Sequence, residues 1–155
     1  MPIKPETLLT ADRVADLKST NKEEVLEELI ALLASSSQVT NKEELRDKIL
    51  ERERTLSTGV GAGMAIPHVK IASIKDFVAA VGRSKKGLNF ESLDGAPTHV
   101  VVMIGCNNTQ SADFLKVLAK LVSRLKDPAL QKRIMEAESP AQICDMFVTG
   151  EGIFC

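Results

Sequence analysis

The chain has 155 residues, with 20 basic and 21 acidic side chains, two histidines, neither tryptophan nor tyrosine, and an apolar fraction of 44%. A chain of this length buries roughly two thirds of the surface its unfolded form exposes, so a single domain over 1–155 can hold a core without disulfide or metal. A net charge of −1, with the basic residues dispersed, gives no footprint for nucleic acid or anionic lipid, and five phenylalanines alone lack the stacking platforms of a single-strand or carbohydrate binder.

The N-terminal stretch MPIKPETLLTADR lacks the basic, apolar, small-residue order of a leader. No apolar run reaches the length of a membrane span, so no membrane insertion and a cytoplasmic location are expected. Thr20-Asn21-Lys22-Glu23-Glu24-Val25 recurs as Thr40-Asn41-Lys42-Glu43-Glu44-Leu45. Each copy reads as a capping box, with the threonine accepting from an amide three residues on and Glu23 or Glu43 reaching back. The first helix carries the stripe Val25, Leu26, Leu29, Leu32 and Leu33 and ends at the serines 35–37; the second runs from about Lys42 to Arg54, with Leu45, Ile49 and Leu50 inward.

Composition then changes. Ser57-Thr58-Gly59-Val60-Gly61-Ala62-Gly63 is a loop that enters the short extended segment Met64-Ala65-Ile66-Pro67-His68-Val69. Phe77–Val81 reads as a strand, and His99–Cys106 is apolar enough to be a strand buried on both faces. Lys86-Gly87 and Asp94-Gly95 mark turns between them. Phe114, Val117, Leu118, Leu121, Val122 and Leu125 form one face of a third helix. Asp127-Pro128 opens a fourth, and Ser139-Pro140 opens another that uses Ile143, Met146 and Phe147. The order implies an α/β fold with a small mixed β-sheet covered by helices.

Few residues can carry chemistry at neutral pH. Cys106, Cys144 and Cys155 form no CxxC pair and have no histidine at ligand spacing, so reduced thiols are expected and no metal or other cofactor. His99 opens the buried strand and reads as a satisfied strand-end histidine. His68 follows a proline and a glycine-rich stretch whose amides could approach an anion, a context that suits phosphate. The string is neither GxxxxGK[ST] nor a glycine fingerprint leading into a helix, and from the residues alone a structural turn histidine fits it better.

The wider string resembles a known signature. Arg52-Glu53 followed by Ser57-Thr58-Gly59-Val60-Gly61-x-Gly63-Met64-Ala65-Ile66-Pro67-His68 is similar to the active-site region of the EIIA domains of the fructose and mannitol class in the bacterial phosphoenolpyruvate-dependent phosphotransferase system, a class that includes the nitrogen-regulatory EIIA proteins. The preceding two-helix module, Leu93-Asp94-Gly95-x-Pro97 and the later helices fall where such domains place them. The resemblance implies the EIIA mannitol/fructose-type fold and a phosphocarrier in which His68 accepts a phosphoryl group from HPr and passes it to an EIIB domain or signals to a regulatory protein through its phosphorylation state. It makes Arg52 the residue that stabilises the phosphoryl group, with Ser57, Thr58, Gly59, Gly61 and Gly63 as the loop beside it. It favours the nitrogen-regulatory type.

Two departures stand out. Many such domains have a second histidine at the start of the long helix, where this chain has Phe114, and several have a polar or acidic residue where it has Ala62. These favour an alternative: a non-catalytic module that keeps the fold and binds a kinase, transporter or transcription regulator.

Overall fold

The structure, a computed structural model, describes residues 4–55, 57–150 and 152–155. A short helix α1 (Pro5–Leu8) and a 3₁₀ turn (Ala11–Arg13) lead into strand β1 (Val14–Asp16). Helices α2 (Lys22–Ala34) and α3 (Lys42–Thr55) follow, then the short strands β2 (Gly59–Gly61), β3 (Met64–Ala65) and β4 (His68–Lys70). The long strands β5 (Val78–Leu88) and β6 (Thr98–Cys106) precede α4 (Ser111–Leu125), α5 (Pro128–Glu136) and α6 (Pro140–Val148).

The sheet is mixed, in the order β1-β5-β6-β3-β2, with β4 also paired to β6. β5 and β6 run antiparallel, while β1 lies parallel to β5, and β3 and β4 lie parallel to β6. Strand pleating sends alternate side chains to opposite faces. Along β6, Val100, Val102, Ile104 and Cys106 enter one core with Phe114, Leu121, Leu125, Ile134, Ile143 and Phe147 from α4, α5 and α6. Val101 and Met103 enter the other, with Val25, Leu29, Leu33, Leu45 and Ile49 from α2 and α3. Double-sided burial is why β6 reads as a continuous apolar run, and each enclosed valine or leucine contributes about 1.5–3 kcal/mol of transfer free energy. The expected small mixed sheet covered by helices is the observed architecture.

Three local expectations are corrected. The caps of α2 and α3 are Asn21 and Asn41, not Thr20 and Thr40: their side chains accept from Glu24 N at 2.9 Å and Glu44 N at 3.0 Å. Thr40 instead gives both its amide and its hydroxyl to Ser73 O, and Glu44 accepts from Ser73 Oγ. The strand expected over Phe77–Val81 continues to Leu88. Arg83 makes that extension possible inside the protein: its buried guanidinium donates to Asp16 at 2.7 and 3.0 Å and to the carbonyls of Ile134 and Ala137 at the end of α5. Asp16, held by that arginine, stays below the usual carboxylate range. β1, which supplies Asp16, has only three residues and no alternation long enough to read.

Candidate functional site

β3 and β4 lie in succession along the same edge of β6, with the break at Ile66-Pro67 between them. Proline cannot donate to a ladder, so pairing is interrupted there and resumes at His68. His68 is in register with Ile104 and Lys70 with Cys106, both on the face covered by α4; Val69, between them, points to the α2–α3 core. The His68 ring therefore meets Phe114 of α4, with centroids 4.9 Å apart and planes inclined by 33°.

His68 Nδ1 lies 2.8 Å from Ile66 O. A carbonyl oxygen can only accept, so Nδ1 carries the proton and Nε2 keeps the lone pair. Burial pushes the His68 pKa below its ordinary value, the bond to Ile66 O opposes this, the positive charges of Arg52 and Lys70 push it further down, and Glu53 pulls it up. The ring thus favours its neutral form and is oriented by the backbone two residues away.

Arg52 is exposed near the end of α3, and its charge reaches His68. Its neighbour Glu53 is buried and joins α3 to Thr58 and to Lys22. It accepts from Thr58 N at 2.9 Å and Thr58 Oγ1 at 2.7 Å, and forms an ion pair with Lys22 of α2 at 2.8 Å. Thr58 O in turn accepts from Ile66 N at 3.0 Å. A continuous chain of bonds runs from Lys22 through Glu53, Thr58 and Ile66 to the imidazole. Glu53 stands in the signature string without a role and Lys22 lies outside it; the signal for Glu53 is a glutamate on the apolar face of α3, four residues past Ile49.

The remaining expected loop residues are placed differently. The Ser57 hydroxyl donates to Phe90 O at 2.6 Å, and the Thr58 hydroxyl is engaged by Glu53, so both brace the loop. Gly59 lies against Ser92 and Phe90, where a Cβ would come within 2.6 Å of Ser92 Oγ. Gly61, Ala62 and Gly63 turn the chain with φ of 90°, 54° and 79°. Ala62 N donates to Asp94 Oδ2 at 3.0 Å, Asp94 Oδ1 accepts from Ala96 N at 3.0 Å, and Gly63 O accepts from His99 N and Val100 N. Since Met64 pairs with Val100 and His68 with Ile104, this turn lies about 13 Å along the sheet from the imidazole. The register thus puts the Gly61-Ala62-Gly63 turn towards the N-terminal end of β6, away from His68.

His99 is satisfied at that far end, with Nδ1 2.8 Å from Ser84 O. Cys106 is buried, and burial pushes its thiol up to about 11, which removes it as a nucleophile at neutral pH. Among the described residues no group of His, Cys, Asp and Glu could hold a metal ion, and no helix is long and apolar enough to cross a membrane.

The mixed sheet between two helical layers is also the fold of IIA mannitol from Escherichia coli, with a TM-score of 0.74 at 20% identity over 88% of this chain and 96% of that one. The crystal structure of nitrogen regulatory protein IIA-Ntr from Neisseria meningitidis has the same fold, with a TM-score of 0.82 at 24% identity over 96% of this chain and 97% of that one. Residues 7–149 match the family described as phosphoenolpyruvate-dependent sugar phosphotransferase system, EIIA 2, and the chain belongs to that family. It is 37% identical over 131 residues to the PTS system fructose-specific EIIABC component of Bacillus subtilis, a match that takes in 84% of this chain but only 21% of that protein's length. It is 32% identical over 132 residues to a nitrogen regulatory protein of Bradyrhizobium diazoefficiens, covering 85% of this chain and 82% of that protein.

Proposed function

We propose that the chain is a phosphohistidine carrier whose His68 Nε2 accepts a phosphoryl group from the phosphohistidine of an HPr-type protein, with Arg52 binding the transferred oxygens. The observation that carries this reading is the Nδ1 bond to Ile66 O, because it fixes the tautomer in which Nε2 is the nucleophile. The Nε2 lone pair forms the new N–P bond as the donor's N–P bond breaks, and that electron pair returns to the donor imidazole. If the donor ring holds a proton on its other nitrogen, it leaves as neutral imidazole, while His68 retains its Nδ1–H and becomes the cationic ring. No proton has to cross between the proteins. Ile66 O stabilises the positive ring that forms, and Arg52 offers a planar fork to the phosphoryl oxygens.

Downstream, the group passes to an EIIB domain, or the phosphorylation state itself is read by a regulatory protein. The nitrogen-regulatory role is the form we favour, supported by 32% identity to the nitrogen regulatory protein of Bradyrhizobium diazoefficiens. Such a carrier works in the cytoplasm. Phe114 against the imidazole supports the second reading, a binding module that does not turn over phosphate. Incubation with phosphoenolpyruvate, enzyme I and HPr separates the two. The carrier gains one acid-labile phosphoryl group that is lost in His68→Ala; an unchanged mass, under conditions that label a control EIIA protein, would rule the carrier out.

A further inference from the structure

Phe114 touches two groups, not one. Its ring is 4.9 Å from the imidazole of His68, and Lys70 Nζ stands 5.4 Å from the centroid of the same ring. His68 and Lys70 are residues i and i+2 of β4, so both side chains leave the strand on the α4 face. A benzyl side chain has no proton to give a phosphoryl oxygen, but its π face attracts an ammonium, and Lys70 is exposed, with a flexible stem and three donors. The charged groups that act on His68 are Arg52 and Glu53 from α3 and Lys70 from its own strand; α4 presents Phe114 there.

We propose that Lys70, steered by the face of Phe114, is the second cationic ligand of the phosphoryl group on His68, opposite Arg52. The inference rests on the carrier reading and adds to it a residue that the sequence signature did not single out. Arg52 approaches from α3, which covers one face of the sheet, and Lys70 from the face covered by α4, so the incoming dianion is met from both sides. Phe114, at the position where the resemblance implies a second histidine in many such domains, then replaces a direct donor with a support for one. Each cation forms its charge-assisted bonds only once phosphate has arrived, which favours transfer over the resting state.

Phosphoramidate, which phosphorylates histidine without a protein partner, removes docking from the test. With this probe at pH 8, where His68 is neutral in every variant, the labelling rate falls about tenfold in Lys70→Met and stays within about threefold of the original in Lys70→Arg. Phe114→Leu, which keeps an apolar side chain but lacks the ring face, labels about two- to threefold more slowly. Thermal unfolding of Lys70→Met stays at the original temperature, because the side chain is exposed. Equal rates for the original protein and Lys70→Met, or a Lys70→Arg as slow as Lys70→Met, would overturn the role of Lys70 while leaving the carrier reading intact. No labelling of the original protein, with a control EIIA protein labelled, would bring both down.

Discussion

The two ends of β6 are built on opposite terms. At its N-terminal end the Gly61-Ala62-Gly63 turn is clasped: Asp94 takes the Ala62 amide, His99 and Val100 donate to Gly63 O, and Gln131 of α5 donates to Ala62 O. Near its C-terminal end, among the described residues, His68 is engaged through Nδ1 alone, while Arg52 and Lys70 stay exposed and positive beside it. The first end has satisfied its polar groups internally and contributes shape. The second has kept a lone pair and two cations for something that arrives from outside. One motif string contains both ends, and the strand register separates them.

The largest test of this division lies just behind the histidine end. Glu53→Ala strands Lys22 and removes both Thr58 bonds, and should cost about 3 kcal/mol in urea unfolding while slowing phosphorylation, since Thr58 holds Ile66 and Ile66 holds the ring. Loss of stability with an unaltered transfer rate would disconnect that chain of bonds from the site. Next is Gly61→Ala, where φ is 90° and a Cβ would stand 3.0 Å from Asp94 Oδ2. It should destabilise by about 2 kcal/mol yet, in the folded protein, label at the original rate within about twofold. A large rate loss there would make the glycine turn part of the phosphoryl site after all.

Arg52→Gln should do the reverse, leaving stability within about 0.5 kcal/mol and slowing labelling of His68 about tenfold, as rapid quench would show. The smallest effect is on titration. His68 should titrate below the ordinary histidine value by NMR, and higher in Arg52→Gln than in the original protein. Because the folded pKa is depressed, the unfolded chain takes up the proton first. The associated stability is complete above about pH 6.5 and declines as pH falls towards the folded value, a component that His68→Gln should lose.

Much of this was legible in the sequence because single residues carry it. The continuous apolar run of β6 announced double-sided burial, and the spacing on α4 placed Phe114 at the head of a buried stripe. The resemblance around Pro67-His68 singled out His68, Arg52 and Phe114, and the fold gathers all three. What escaped is what depends on pairing. Nothing local shows that β4 pairs four residues further along β6 than β3, so the glycines looked adjacent to the histidine in space as they are in sequence. Asn21 and Thr20 are both good caps, and only the extended backbone at Asn21 decides between them. The strand expected to end at Val81 runs on through Arg83 because Asp16 and the end of α5, distant in sequence, supply that arginine's partners.

In the proposed carrier His68 attacks through Nε2, with Nδ1 held as a donor by Ile66 O. Nitrogen-15 and phosphorus-31 NMR of the protein during phosphorylation by phosphoenolpyruvate, enzyme I and HPr measures this directly. The expected spectrum has phosphorus coupled to His68 Nε2 and a retained proton on Nδ1; phosphorus on Nδ1, on His99, or on no histidine would contradict it.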